Sequence, residues 1–161
     1  MNYTEKYIES LITCQKIIIE FPGREMKIEK KHKRNDMKLK SLNTNELFYV
    51  FMRMHLDFRE NFSIGLIHQS LEGQKNVLLR LNGNHGQVVT DPIRPSPHFG
   101  FHIHKITAND WGNDIFEPKS IELTKEYASF NEALKYFIKM VNITNAPPYF
   151  PHIYQKKLFE I

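Results

Sequence analysis

Three of the chain's eight histidines fall in Pro97-His98-Phe99-Gly100-Phe101-His102-Ile103-His104-Lys105, where they alternate with large apolar residues. This period of two predicts a half-buried β-strand over residues 98–105. The apolar side chains would then point to one face of the sheet, and His98, His102 and His104 to the other. Gly100 removes a side chain from the histidine face, which gives a ligand room to approach. Imidazoles grouped in this way can exchange protons near neutral pH or bind a metal ion.

A second strand is predicted from Lys75 to Asn82, where an apolar run ends at the turn signals Asn82-Gly83 and His85-Gly86. If the two strands are antiparallel neighbours, Leu79 and Leu81 share the core face with Phe101 and Ile103. The other side chains of this strand then lie on the histidine face. The long connection between the two strands contains Arg94 and three prolines, which is typical of a binding loop. The candidate catalytic residues are Arg80, Asn82, His85, His98, His102 and His104.

The spacing Arg80-Leu81-Asn82-x-x-His85, followed by Pro97-His98 and His102-x-His104, resembles that of TumE-like toxins of bacterial toxin–antitoxin systems and of related prophage-borne proteins. The resemblance covers about residues 60–143. In this chain the second motif has two extra residues or a shifted first histidine, so either His98 or His102 takes the place of the first histidine. The resemblance implies a small intracellular toxin that acts on RNA, with a cognate antitoxin as a possible protein partner.

The favoured hypothesis for the histidine face is a metal-independent endoribonuclease that needs no cofactor. One neutral imidazole would take the 2′-hydroxyl proton of RNA, and a protonated one would supply a proton to the leaving 5′-oxygen. Arg80 would bind the phosphate and stabilise its developing charge. Because RNA supplies its own nucleophile, no serine, cysteine or metal ion is required.

Three other hypotheses stay open at the level of sequence. His98, His102 and His104 could bind zinc, because an H-x-H pair on one strand face is a legitimate pair of ligands. The face could instead belong to a phage- or mobile-element-derived binding or inhibitor protein that acts on a nucleic-acid enzyme or another partner. Finally, hydrogen bonds could satisfy all the histidines in a fold without catalysis.

Positive charge is concentrated between Arg24 and Lys40, where eight Lys or Arg against three acidic residues give +5, in a chain whose net charge is +4. Such a concentration indicates a surface for phosphate backbones, although lysines also protect the exposed edges of sheets. The predicted nucleic-acid-binding residues are Arg24, Lys27, Lys30, Lys31, Lys33, Arg34, Lys38, Lys40, Arg94 and Lys105.

Composition is that of an ordinary globular protein: the 161 residues are 41% hydrophobic and 25% charged, which predicts a single domain over residues 1–161. No apolar run is long enough to span a membrane, and the N-terminus does not resemble a signal peptide. The lone Cys14 cannot form an internal disulfide, so a cytoplasmic location is expected.

The elements that must position the candidate residues predict an α+β fold. Helical spacing favours helices over residues 3–20 and 129–142, the second opened by the capping box Ser129-x-x-Glu132. Between them we expect a curved antiparallel sheet of about five or six strands. The predicted strands include two short basic strands around a turn at Arg34-Asn35-Asp36, then residues 46–56, 62–69, 75–82, 98–105 and 120–125. The two helices should pack on this sheet.

Overall fold

The computed structural model describes residues 4–21, 23, 25–84, 100–110 and 120–154, and it has an α+β fold with one antiparallel sheet. In chain order the elements are α1 (Glu5–Thr13), β1 (Lys16–Glu20), β2 (Lys27–Glu29), β3 (His32–Ser41), β4 (Leu47–His55), β5 (Phe62–Gln69), β6 (Lys75–Asn82), β7 (His102–Lys105), β8 (Ser120–Leu123), α2 (Phe130–Met140), a 3₁₀ turn (Pro147–Tyr149) and α3 (Pro151–Tyr154). The predicted fold class is therefore confirmed.

The sheet has the strand order β1-β3-β4-β5-β6-β7-β8, and β2 pairs with the start of β3 on the same side as β1. It therefore has eight strands rather than the expected five or six. Strands β4 to β6 lie where the sequence predicts them. The strand predicted over residues 98–105 begins at His102 in the described chain, since Gly100 and Phe101 lie before it and residues 98–99 are outside the described residues.

The N-terminal helix is shorter than predicted, because the segment assigned to one helix over residues 3–20 divides into α1 and β1. Thr4 caps α1 by accepting a hydrogen bond from the Tyr7 backbone N–H at 3.1 Å. Cys14 ends the helix with an extended backbone, and β1 then pairs with the end of β3. The three consecutive isoleucines of β1 fit a strand better than a helix, because β-branched side chains are restricted on a helix and pack well on a sheet.

The turn predicted at Arg34-Asn35-Asp36 was wrong. These residues lie within β3 and pair with Arg53, Met52 and Phe51 of β4. The chain turns at Lys30-Lys31 instead, where Lys30 has a positive φ of 54°. Asn35 is buried and donates to the Gly23 carbonyl at 3.2 Å, so this bond and the pairing with β4 outweigh the turn preference of the Asn-Asp sequence.

The C-terminal helix α2 agrees closely with its prediction. Ser129 accepts from the Glu132 backbone N–H at 3.2 Å, and the Glu132 carboxylate accepts from the Ala128 N–H at 2.8 Å. Its buried stripe, which contains Leu134, Phe137 and Ile138, faces the sheet. Together with the buried residues of α1, it covers one face of the sheet.

Most residues of the sheet that point to this helix-packed face are apolar. Cross-strand pairs Leu39–Phe48, Val50–Leu66 and Leu81–Ile103 belong to the same layer. Burial of apolar side chains of this kind contributes roughly 1.5–3 kcal/mol each, so this layer supplies most of the stability of the fold.

The beginning and the end of the described chain meet at β1. The Lys16 backbone N–H donates to Asn142 O at 2.9 Å, and Thr144 N–H donates to Lys16 O at 3.0 Å. The Asn145 side chain adds two bonds to the Ile18 backbone, at 2.8 and 3.1 Å. Residues 142–145 therefore cover the outer edge of β1, which an exposed edge strand needs to avoid pairing with other chains.

The Lys16 side chain is buried at the same junction. Its Nζ donates to the carbonyls of Ile12, Cys14 and Val141 at 2.7–2.9 Å and lies 4.7 Å from the centre of the Phe48 ring. Burial lowers the pKa of Lys16 from 10.5 to about 8. The lysine thus joins the end of α1, the start of β1 and the end of α2.

Candidate functional site

The pairing of β6 with β7 brings the central residues of the sequence motif together. Arg80 lies opposite His104, and Asn82 lies opposite His102, while Leu81 pairs with Ile103. Side chains of directly paired residues point to the same side of a sheet, so Arg80, Asn82, His102 and His104 share one face. This is the register that the alternation predicted, and it places these residues opposite the helix-packed face.

We call the side opposite the helices the basic face, because cationic side chains from three strands lie near its centre. The register places there Arg34 and Lys38 of β3, Arg53 of β4, and Lys75 and Arg80 of β6, together with the aromatic rings of Tyr49 and Phe51. Lys38 and Lys75 lie 5.7 and 4.8 Å from the centre of the Tyr49 ring, so the cations surround an aromatic surface.

A chain of hydrogen bonds fixes the Arg80 guanidinium on this face. Its Nε donates to Asn82 Oδ1 and its Nη2 donates to Ser63 Oγ, both at 3.1 Å. The guanidinium carbon also lies 5.5 Å from the centre of the Phe51 ring. Phe51 can lie across β5 because Gly65 has no side chain: a Cβ there would come within 2.1 Å of the ring. The arginine is therefore held in position by groups from three strands.

His102 continues this chain of hydrogen bonds into the protein interior. Asn82 Nδ2 donates to His102 Nε2 at 3.2 Å, and His102 Nδ1 donates to Gly100 O at 2.8 Å. A carbonyl oxygen can only accept, so Nδ1 carries the proton and Nε2 is the acceptor. His102 is fully buried with both nitrogens engaged, which defines a positioning role: it orients Asn82, which orients Arg80.

His104 is also buried, with its ring 5.1 Å from that of His102. Burial separates both rings from a substrate in solution, so the described geometry does not assign them the direct proton transfers expected from the sequence. Two further candidates for proton transfer, His85 and His98, lie outside the described residues, as do Arg24 and Arg94.

The described residues contain no group of three His, Cys, Asp or Glu side chains that could hold a metal ion. The alternative zinc site combines His98, which is outside that part of the chain, with His102 and His104. Both ring nitrogens of His102 are already hydrogen-bonded, and a ligand needs a free lone pair. The arrangement seen for His102 therefore fits a hydrogen-bonded histidine and not a zinc ligand.

The predicted basic residues divide between different sides of the sheet. Arg34, Lys38 and Lys40 point to the basic face with Lys27, whereas Lys30 and Lys31 lie in the turn before β3. Lys33 points to the helix-packed side and lines a cavity with Phe130. Lys105 also points away from the basic face, where it forms an ion pair with Glu9. One continuous basic hairpin is therefore the wrong description.

Sequence reasoning missed Arg53, His32 and Ser63, which line a cavity of about 140 Å³ with Arg80. Arg53 lies in β4 between Arg34 of β3 and Ser63 of β5. The signal was available in the alternation of residues 46–56, which places Arg53 on the same face as Tyr49 and Phe51. This alternation indicates a site at Arg53 only when the order of strands β3 to β6 is known.

A neighbouring cavity of about 320 Å³ on the basic face is lined by Tyr49, Phe51, Arg34, Arg53 and Lys75, with Asp36 beside them. Larger cavities, of about 460 and 500 Å³, lie on the helix-packed side around Met54 and Phe130. The cavities of about 140 and 320 Å³ share Arg53, and together they combine flat aromatic rings with several positive charges.

Neither the models of known protein families, nor curated proteins, nor solved structures give a match to this chain. Within the described residues, no helix is long and apolar enough to cross a membrane.

Proposed function

We propose that this chain binds single-stranded RNA on its basic face and cleaves it without a metal ion. The observation that carries the proposal is the Arg80 guanidinium, held by Asn82 and Ser63 at a cavity that it shares with a second arginine, Arg53. A guanidinium is well suited to phosphate because its donors match two phosphate oxygens. An arginine fixed before the ligand arrives loses little freedom on binding.

The surroundings of Arg80 fit a single strand better than a duplex. Unpaired bases stack on aromatic side chains, and each such contact contributes about 1–3 kcal/mol. Tyr49 and Phe51 lie in the cavity next to Arg80, with Arg34 and Lys75 beside them. A base stacked on these rings would place its phosphate within reach of Arg80, Arg34 and Lys75.

Cleavage is the favoured activity because RNA carries an internal nucleophile. The protein then has to bind the phosphate, hold the scissile phosphodiester in one orientation and move a proton. Arg80 serves the first of these, whereas Asn82 and His102 keep the arginine in position. The resemblance to TumE-like toxins, carried by the same residues, favours a toxin that is controlled by an antitoxin.

A binding protein without catalysis is the second candidate. The burial of His102 and His104 supports it, because both rings are used to build the face rather than exposed on it. Such a protein would hold RNA, or block a nucleic-acid enzyme, through the same arginines.

The test is an assay of purified protein with single-stranded RNA in EDTA. We expect products with 2′,3′-cyclic phosphate and 5′-hydroxyl ends, and no cleavage of RNA methylated at the 2′-oxygens. Arg80→Ala should reduce cleavage by about 100-fold or more, the usual scale for losing a charge-stabilising group. Lys105→Ala is the matched control, because Lys105 is paired with Glu9 on the other side of the sheet.

Other outcomes lead to different conclusions. RNA binding without cleavage would establish the second candidate, and cleavage that EDTA abolishes and zinc restores would establish the metal hypothesis. If RNA neither binds nor is cut, or if Lys105→Ala affects binding as much as Arg80→Ala, the basic face is not the RNA site.

A further inference from the structure

We propose that the cavity between His32, Arg53, Ser63 and Arg80 is the site where a phosphodiester of RNA binds, with His32 as the group that takes the 2′-hydroxyl proton. This inference rests on the proposed function, and it adds residues from β3, β4 and β5 to those of the sequence motif. The geometry of the four strands, rather than the histidine-rich segment, carries it.

The cavity is formed where adjacent strands align. Arg34 pairs with Arg53, Arg53 with Ser63, and Ser63 with Asn82, so β3 to β6 run side by side at this point. Its volume of about 140 Å³ is less than half the 320 Å³ of the neighbouring cavity over Tyr49, so a phosphate group suits it better than a base does. The neighbouring cavity over Tyr49 remains for a base.

The charges around the cavity favour an anion. Arg80 is held there by Ser63 Oγ, and no described carboxylate forms an ion pair with Arg53. Two guanidinium groups at one small cavity repel each other, and a bound phosphate converts this repulsion into attraction. The acidic group that faces this region from β2 is Glu29, which lies opposite His32 and is exposed.

His32 is the imidazole available at the cavity. It is half-buried, and no hydrogen bond engages its ring within the described residues. Its neighbour His55 stacks edge-to-face against it at 5.2 Å, but His55 Nδ1 accepts from the N–H groups of Asp57 and Phe58 at 3.1 and 3.2 Å. Desolvation, together with the charge of Arg53 and the proximity of His55, lowers the pKa of His32. The ring is therefore neutral at pH 7 and able to accept a proton.

The reaction balances with these groups and water. His32 takes the proton of the 2′-hydroxyl, and the 2′-oxygen forms a bond to phosphorus. The bond between phosphorus and the 5′-oxygen breaks, and that oxygen takes a proton from water. Arg53 and Arg80 stabilise the charge on the phosphate oxygens, and His32 returns its proton to the solvent. The products are a 2′,3′-cyclic phosphate and a 5′-hydroxyl.

The first experiment measures the pH dependence of RNA cleavage in His32→Gln, which keeps a hydrogen-bonding side chain but cannot titrate. In the unaltered chain, kcat should rise with pH through the lowered pKa of His32 and then level off. His32→Gln should reduce kcat by about 100-fold and remove this rise. His152→Gln, an exposed histidine in α3, is the matched control and should keep the full rate and profile. Cleavage by His32→Gln with an unchanged profile would refute the role of His32 and leave the proposed function standing.

The second experiment does not require cleavage. Inorganic phosphate is added to the folded protein while the imidazole signals of His32 are followed by NMR. The bound anion should raise the pKa of His32, and binding should tighten as the pH falls, because the protonated ring adds a positive charge to those of Arg53 and Arg80. Arg53→Ala should abolish both effects. If phosphate leaves His32 unchanged in the unaltered chain, the cavity is not a phosphate site, whether or not the protein cleaves RNA.

Discussion

The two faces of the sheet are built from the same strands but by different interactions. The helix-packed face consists mainly of apolar side chains that pack against α1 and α2, and it includes the buried Lys16. The basic face has arginines and lysines around two aromatic rings, with a hydrogen-bonded network beneath them. The helix-packed face stabilises the fold by burying apolar surface, and the basic face presents positive charge to a ligand. Stability and function should therefore be separable by substitution on opposite sides of one strand.

The largest expected effect comes from Phe137→Ala, which removes a fully buried ring of α2. The free energy of unfolding should fall by about 3–5 kcal/mol, because the lost packing leaves a cavity. RNA affinity of the folded fraction should not change. Tyr49→Ala on the basic face should do the opposite: unfolding in urea should change little, and RNA affinity should fall by an amount equivalent to about 1–3 kcal/mol. Equal effects of both substitutions on affinity would contradict the separation of the faces.

The second prediction concerns the charged residue of the helix-packed face. The pKa of Lys16 falls from 10.5 to about 8 on folding, so between these values the unfolded chain binds a proton that the folded chain does not. Stability should therefore rise with pH in this window, by about 2–3 kcal/mol between pH 8 and 10. Above pH 10 the trend should reverse, because burial raises the pKa of Tyr127 and the unfolded tyrosine then loses its proton first.

Urea unfolding at several pH values measures this effect. Lys16→Met should remove the rise, since methionine fits a similar space without a titrating group. A rise that persists in Lys16→Met would assign the pH dependence to another residue.

The third prediction tests how the two faces are connected. The Tyr127 hydroxyl lies on the helix-packed side, 3.0 and 2.9 Å from the backbone oxygens of Asn82 and His102. Tyr127→Phe removes these bonds and should destabilise the fold by about 1–2 kcal/mol. Since both carbonyls belong to residues that position Arg80, RNA affinity should fall as well. Tyr136→Phe is the control, because its half-buried hydroxyl makes no hydrogen bond within the described residues. Full affinity in Tyr127→Phe would show that the site does not depend on this support.

The smallest effect is expected from single lysines of β3. Lys38 lies on the basic face beside Tyr49, whereas Lys33 lines the helix-packed side. Lys38→Gln should lower the slope of log affinity against log salt by about 0.7, the value for one phosphate contact on a single strand. Lys33→Gln should leave the slope unchanged, and both should have little influence on stability. A larger change in Lys33→Gln than in Lys38→Gln would contradict the proposed surface.

The sequence predicts the parts of the fold where local patterns and long-range packing agree. Alternation in β6 and β7 predicts the register that joins Arg80 and Asn82 to the histidines. The capping box predicts the start of α2 within one residue. In β1, however, Ile18 and Ile19 continue the helical spacing of α1, and only pairing with β3 selects the strand. The turn residues Asn35 and Asp36 were misassigned for the same reason, because their partners in β4 are distant in sequence.

The candidate site could be predicted only as far as one pair of strands. Alternation assigns side chains to a face but does not determine how deeply each one is buried, so His102 was expected to be reactive and is instead a hydrogen-bonded support. Alternation assigns Arg53 to a face of β4, but the significance of Arg53 and His32 comes from the order of β3, β4, β5 and β6. Each single strand contributes one charged or polar group, and only the assembled sheet makes a cavity of them.

The junction at Lys16 sets a condition on the timing of folding during synthesis. Lys16 bonds residues 141–144 through its backbone and its side chain, and these residues are synthesised after every strand of the sheet. Until that segment leaves the ribosome, the outer edge of β1 has no backbone partner, and Lys16 Nζ lacks one of its three carbonyl acceptors. Until then β1 pairs with β3 on one edge only, and its other edge stays exposed. The residues of the cavity that contains Arg53 and Arg80 all precede position 81, so they belong to a sheet whose outer edge is covered last.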